Sequence, residues 1–294
     1  MKTTIKLLAA AFASYTCAQE LEGPTANGNP TYSDEEEMKV TDSALKHQSP
    51  INIRTQGWRK KRETFMVSGD DAFQYRYGTL SYDDAKKVGD TGVMFAWREE
   101  EKGHFRTSAS SIFNHELKNM TFVPQQIHFH SGTTHANPGN MGSEHTYDGK
   151  HFDLEAHIVH FNLNEETKDD FVAAVIGIMF RASDTDKLTY ADKFLRKLFS
   201  GEPVDTERDF VDHLDLIHRF IYRGSLTTPP YSEMLLWNMV ARVAHINYET
   251  LKLFRHMVPL IDKEERMFGQ PNRDVQPYNG RKIYEIIEGP TPHE

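Results

Sequence analysis

The stretch Gln126–Gly132, QIHFHSG, places two imidazoles one residue apart in an otherwise apolar and aromatic run. Residues i and i+2 of a β-strand share a face. Gln126, His128 and His130 therefore line up on one side, and Ile127 and Phe129 on the other. A second run, DLEAHIVH (Asp153–His160), repeats the device, with Glu155, His157 and Val159 on one face and Ala156, Ile158 and His160 on the other. A helical period scatters these side chains, whereas the strand period sorts them into one chemical and one apolar face.

Three imidazoles on two strands are the donor set of a catalytic zinc site, which leaves a fourth position for water. Each ligand also needs a partner on its other ring nitrogen to fix its tautomer. Gln126 is placed to accept from His128 and Glu155 from His157, while a backbone carbonyl is expected to serve His130. Hydrogen-bonded core histidines explain any one of these residues alone. The repeat on two strands, with polar partners in step, favours a metal. A cupin-type iron or manganese site calls for an acidic ligand soon after the second histidine, yet no acid follows His130 before Glu144.

Other segments read as strands from their β-branched and aromatic content: GVMFAW (92–97), FVAAVIGIMF (171–180) and EMLLWNMVAR (233–242). YADKFLRKLFS (190–200) and NYETLKLFRHM (247–257) carry apolar residues at helical spacing. No internal repeat or second linker interrupts the chain after about residue 40. The pattern predicts a mainly β (α+β) fold with a large, twisted, mostly antiparallel central sheet and a few peripheral helices.

The formal charge is −9 over 294 residues, with no long basic run, which argues against nucleic acid as a partner. WRKKRE (58–63) reads as a solvated patch. Residues 1–18, with Lys2, Lys6 and the short apolar run Leu7–Ala13, read as a signal peptide cleaved near Ala18. Its removal leaves the chain two charges more acidic and predicts a secreted or extracellular protein, periplasmic if the host is bacterial. Residues 19–40 read as a flexible acidic segment and 41–294 as the folded domain. Cys17 is the only cysteine, so the mature chain has neither a disulfide nor a thiolate ligand. No stretch after the leader is long and apolar enough to span a membrane. Asn119-Met120-Thr121 fits a glycosylation sequon, so an N-glycan at Asn119 is a further expectation. Oligomeric state is not encoded in any recognisable motif.

Five stretches together resemble an α-class carbonic anhydrase: QSPINI (48–53), QIHFHSG (126–132), GSEHTYDGKHFDLEAHIVHFN (142–162), GSLTTPPYSEMLLWNMV (224–240) and GQPNRDVQPYNGRKIY (269–284). The resemblance covers roughly residues 47 to 285. It implies that His128, His130 and His157 bind Zn2+, with Gln126 and Glu155 as their outer partners. It makes Thr227 the hydroxyl that accepts from zinc-bound hydroxide and donates to Glu144. It makes Val159, Val175, Leu226 and Trp237 the apolar wall where carbon dioxide rests, with Thr228 beside it. It gives His145 and His160 structural hydrogen-bonding roles. The implied activity is reversible hydration of carbon dioxide to bicarbonate and a proton. The alternative is a catalytically weak relative acting as a binding or matrix protein.

Two positions depart from the family. Fast members carry a proton-shuttling histidine where Val93 stands in TGV (91–93), and many have tryptophan where Ser131 stands. Proton release is then expected to depend on buffer, or on another histidine such as His104, His115 or His135.

Overall fold

The computed structural model describes residues 46–55, 63–67, 73–80, 85–88, 92–131, 142–185, 187–261 and 272–289. The expected leader, the acidic segment 19–40, the basic residues 58–62 and His135 lie outside the described residues.

Twelve strands form one sheet. Short pairs flank it: β1 (Asn52–Ile53) with β9 (Thr146–Tyr147), and β4 (Thr79–Leu80) with β12 (Val204–Asp205). The main path of the sheet runs β2 (Glu63–Val67), β16 (Tyr284–Glu288), β13 (His218–Ser225), β14 (Glu233–Val240), β11 (Ala173–Ser183), β10 (Leu154–Asn162), β8 (Met120–His130), β6 (Gly92–Ala96) and β5 (Ala85–Val88). Off this path, β15 (Ala244–Asn247) pairs with β11, β7 (His104–Thr107) with β8, and β3 (Phe73–Arg76) with β7. The sheet is mostly antiparallel, as the sequence predicts. Parallel pairings join β11 to β14, β11 to β15 and β16 to β2.

Both expected helices form: α1 (Tyr190–Ser200) and α3 (Tyr248–Ile261). A single turn, α2 (Thr206–Asp209), lies between them. Helix α1 starts on a reciprocal cap, in which the Thr189 hydroxyl accepts from the Asp192 N–H and the Asp192 carboxylate accepts from the Thr189 N–H. It ends at Gly201, whose φ of 83° suits glycine.

Strand alternation divides the core in two. Ile127, Phe129, Ala156, Ile158, Ala174, Ile176 and Leu236 face one side, where they meet Phe194, Leu195 and Leu198 of α1 and Phe254 of α3. Val159, Val175, Leu235, Trp237 and Met239 face the other side, with Ile51, Ile53 and Tyr147 of the small β1/β9 pair. Helices thus cover one face of the sheet and leave the imidazole-bearing face to loops. Gly177 keeps that face closely packed: a Cβ there would lie 2.3 Å from the Met239 sulfur.

The β16 strand is latched by a buried ion pair. Arg219 of β13 donates to Glu288 of β16, both fully buried. Glu288 also accepts from the Thr107 hydroxyl at 2.6 Å and from the Ser108 N–H. The Arg219 guanidinium lies 4.8 Å from the centroid of the Phe73 ring.

His160 occupies the helix-covered face as a neutral hydrogen-bonding residue. Its Nδ1–H donates to the Ala174 carbonyl at 3.2 Å, and its Nε2 accepts from the Tyr77 hydroxyl at 2.8 Å. Burial pushes its pKa down to about 3, against the smaller raising effect of backbone hydrogen bonds. A base whose folded pKa is depressed contributes stability that is present above the unfolded value of 6.5 and is lost as pH falls toward 3. His160→Gln is therefore expected to lose about 2 kcal/mol less stability than the parent between pH 7 and pH 5. Urea unfolding at the two pH values checks this, and equal losses in both proteins would refute it.

Candidate metal centre

The register of β8 on β10 sets His157 opposite His128 and Glu155 opposite His130. Side chains directly opposite each other in adjacent strands share a face. The three imidazoles therefore converge, with ring centroids 4.6 to 5.1 Å apart. One nitrogen from each ring lies within 4.8 Å of the others. His130 and His157 are at most 1% exposed and His128 is 8% exposed, so the cluster is largely closed to bulk solvent.

The hydrogen bonds behind the rings decide which nitrogens face inward. His128 Nδ1 lies 3.1 Å from Gln126 Oε1, an acceptor, so this nitrogen carries the proton and Nε2 a lone pair. His157 Nε2 lies 2.6 Å from the Glu155 carboxylate and donates to it, which leaves a lone pair on Nδ1. These two lone pairs face each other at 3.2 Å. Burial, then the neighbouring imidazoles of His157 and His130, hold His128 well below the usual histidine range, so this ring does not take up a proton to relieve the contact. Two buried acceptors aimed at one point call for a cation, and nitrogen donors of this kind suit zinc. The donor set therefore fits Zn2+, held by His128 Nε2, His157 Nδ1 and His130. His130 Nε2 also lies 3.4 Å from Glu144 Oε2.

Glu155 fixes more than one ring. Its Oε1 accepts from His157 and from His145 Nδ1, the latter at 2.7 Å. Its Oε2 accepts the backbone N–H groups of Glu144 and His145 at 2.8 and 2.9 Å. The relay continues outward as Ser49 Oγ to Tyr222 hydroxyl at 2.8 Å and Tyr222 hydroxyl to His145 Nε2 at 2.6 Å. Burial works to raise the Glu155 pKa. The N–H groups that His145 and His157 aim at Glu155, electrostatically and by hydrogen bonding, outweigh burial and hold the carboxyl well below the usual range. Clustering of His145, Glu155 and His157 is thus accounted for by hydrogen bonding, the structural role expected of His145.

Glu144 stands beside His130. Burial pushes its carboxyl up to about 7, with the Glu155 charge adding to the rise. The effects of His157, the Thr227 side chain and the Arg273 N–H oppose it. The Arg273 N–H donates to Glu144 Oε1 at 3.1 Å, and the Arg273 guanidinium donates to the Ser49 carbonyl at 2.7 Å. Thr227 is buried in the loop after β13. That loop is pinned where the Leu226 N–H meets the Ser232 carbonyl and where Trp237 Nε1 donates to the Ser225 carbonyl, both at 2.9 Å. Thr228 accepts the Tyr231 N–H in the same loop.

The expected apolar wall is continuous. The register runs Val159 to Val175 to Trp237 across β10, β11 and β14, and Leu226 joins the same buried cluster. The Trp237 ring lies 4.9 Å from the His157 ring. On the other flank β6 places Met94 opposite His128 and Ala96 opposite Gln126. The metal-facing side of β6 is therefore apolar at both positions. Val93 lies next to Met94, with its side chain outside the described residues.

Two of the suggested proton carriers are misplaced. His104 belongs to β7, which pairs with the opening residues of β8, Met120 to Phe122, at the end away from His128. His115 lies in the turn before β8, also at that end. Strand β8 is 11 residues long and rises about 3.3 Å per residue, which separates both from the trio. Sequence reasoning missed Ser49, Tyr222 and Arg273, because each reaches the site from a distant part of the chain. For Ser49 and Arg273 the only available signal was their location within the family-like stretches, and Tyr222 lies just before one of them.

Glu155→Gln turns one acceptor of the relay into a donor. It is expected to weaken Zn2+ binding by about 10–100-fold. Competition against a chromophoric chelator measures this, and an unchanged affinity would contradict the tautomer assignment.

Comparison with known proteins is consistent with this geometry. Residues 33–287 match the family model for eukaryotic-type carbonic anhydrase. A carbonic anhydrase of Dunaliella salina is 28% identical over 265 residues, covering 83% of this chain and 40% of the algal protein. Carbonic anhydrase 6 of Canis lupus familiaris is 31% identical over 178 residues, covering 55% of this chain and 53% of the dog protein. The matches thus span about half the length of these two relatives. Among solved structures, the carbonic anhydrase Cah3 of Chlamydomonas reinhardtii, in complex with acetazolamide, superposes with a TM-score of 0.58 at 22% identity, covering 91% of this chain and 99% of that one. Dioscorin complexed with ascorbate superposes with a TM-score of 0.53 at 21% identity, covering 82% of this chain and 86% of that one. A sheet, an imidazole trio and a sequence profile that agree over most of its length make this chain a member of the eukaryotic-type carbonic anhydrase family.

Proposed function

We propose that this chain is a zinc-dependent carbonic anhydrase, a lyase that reversibly hydrates carbon dioxide to bicarbonate and a proton. The observation that carries the reading is the pair of ring lone pairs, His128 Nε2 and His157 Nδ1, facing each other at 3.2 Å with His130 alongside. When bound, zinc supplies the Lewis acidity that makes a water nucleophilic near neutral pH, a behaviour for which carbonic anhydrase is the standard example.

The protein's own groups supply position. Gln126 and Glu155 hold two rings in the ligating tautomer. Glu144, kept in place by the Arg273 N–H, acts as the acceptor for the Thr227 hydroxyl proton. Thr227 is thereby left with only a lone pair to offer the attacking oxygen, which fixes its orientation. Val159, Val175, Leu226 and Trp237 hold the apolar substrate, which has no charge for a polar wall to recognise. Thr228 lies at the edge of this wall. Bicarbonate is charged, and the same apolar surface favours its departure.

Met94 and Ala96 give the β6 flank no ionisable group. Direct release of a proton from a group of pKa near 7 is limited to roughly 10³–10⁴ per second. Turnover is therefore expected to rise with buffer concentration from about that value. Stopped-flow hydration with a pH indicator tests this, and a high rate independent of buffer would overturn it. Thr227→Ala is expected to lower kcat/KM by about 10²-fold while the zinc content stays the same. A zinc-loaded parent protein without hydration activity would favour the alternative of a binding relative.

Export from the cell belongs to the same proposal and rests on the leader-like residues 1–18. Asn119 is exposed in the turn before β8, with a φ of 56° and its Oδ1 accepting from the Ser108 hydroxyl. This supports a glycan on its Nδ2 in a eukaryotic secretory host, at the end of β8 away from the imidazole trio.

A further inference from the structure

A cavity of about 430 Å³ opens where β11, β13 and β15 meet the segment between β9 and β10. No residue of the imidazole trio lines it. Its floor is aromatic: Tyr147, Phe152 and Phe220 pack edge to face with centroids 5.4 and 5.9 Å apart, and each is less than 8% exposed. Basic side chains also line it: Arg181 of β11 sits beside His245 of β15 in register, and Lys150 joins them.

The two lining carboxylates are already engaged. Asp148 accepts from the Thr55 N–H at 2.7 Å and from the Thr55 hydroxyl. Glu285 lies 2.9 Å from His218 Nε2. Lys150, Arg181 and His245 have no carboxylate partner among the described residues. The Arg181 guanidinium instead rests 5.2 Å from the centroid of the Phe152 ring. Lys150 and Arg181, with no ion-pair partner among the described residues, thus offer cationic donors to the opening, while the Asp148 and Glu285 carboxylates are engaged by Thr55 and His218.

We propose that this cavity binds a small organic anion of the arylcarboxylate class. The volume lies in the range of small-molecule sites, about 300–1,000 Å³. A flat ring covers the aromatic floor, while the carboxylate takes the guanidinium of Arg181 in a two-point contact. Lys150 and His245 supply further donors. Apolar body and anionic head are both required, because the floor rewards one and the rim the other.

Benzoate is the probe, titrated calorimetrically into the zinc-loaded full chain and its variants. The expected result is binding at about 1 mM or tighter. Arg181→Ala is expected to weaken it at least tenfold and Lys150→Ala several-fold, with unchanged carbon dioxide hydration and melting temperature. Acetate, which lacks the ring, is expected to bind at least tenfold more weakly than benzoate. His128→Ala, which removes a proposed metal ligand, is expected to leave benzoate affinity at this site intact. The proposal is overturned by any of four results: no binding up to about 10 mM, unchanged affinity in both rim variants, loss of binding in His128→Ala, or inorganic phosphate binding as tightly as benzoate.

Discussion

Glu155 is a carboxylate with no exposure to solvent, and it survives there because four donors surround it. An unpaired buried charge costs many kcal/mol, and hydrogen bonding to several donors offsets that cost. The four donors come from the segment after residue 142 and from β10 itself, so one side chain ties the loop carrying Glu144 to the strand carrying His157. Take the carboxylate away and two structures loosen together: the tautomer of His157, and the placement of Glu144 against Arg273. The relay through His145 and Tyr222 extends the same dependence to Ser49, near the start of the described chain.

The sheet performs the complementary task on the apolar side. Cross-strand register, rather than any loop, aligns Val159, Val175 and Trp237 beside the rings. Loops are the more mobile parts of most proteins. A wall built from three central strands is held by backbone ladders on both sides and by α1 and α3 behind. Under the proposed function, substrate discrimination rests on these rigid elements, with the pinned segment around Leu226 and Thr227 adding the polar contact. The absence of an ionisable group at Met94 and Ala96 belongs to this same rigidity, since β6 is locked to β8 by its register.

The period-2 pattern made β8 and β10 legible from the sequence, together with the face on which each histidine lies. It also revealed the partners Gln126 and Glu155, because they sit two residues from their rings. The helices α1 and α3 were legible from the spacing of Leu195, Leu198, Leu251 and Phe254. Strand β13, HRFIYRGS, was not recognised, because Arg219 and Arg223 interrupt its apolar pattern. Arg219 is buried all the same, since Glu288 neutralises it from a strand 69 residues away. Ser49 and Arg273 were opaque for the related reason that 224 residues separate them. Local periodicity carries no information about such pairings. Of the suggested proton carriers, His104 and His115 failed on geometry: counting histidines along the chain does not say at which end of β8 they lie.

The order of strands has a bearing on biosynthesis. Strand β2, near the front of the chain, reaches the main sheet only through β16, the last strand among the described residues. During vectorial synthesis β2 leaves the ribosome long before the neighbour it must lie against. It therefore waits with unpaired amides until nearly the whole domain has been translated, and contacts of such large sequence separation form slowly. The Arg219–Glu288 pair can form only at that stage, since its acid lies at the end of β16. In a nascent chain of this topology the edge that β2 must fill stays open until β16 is made.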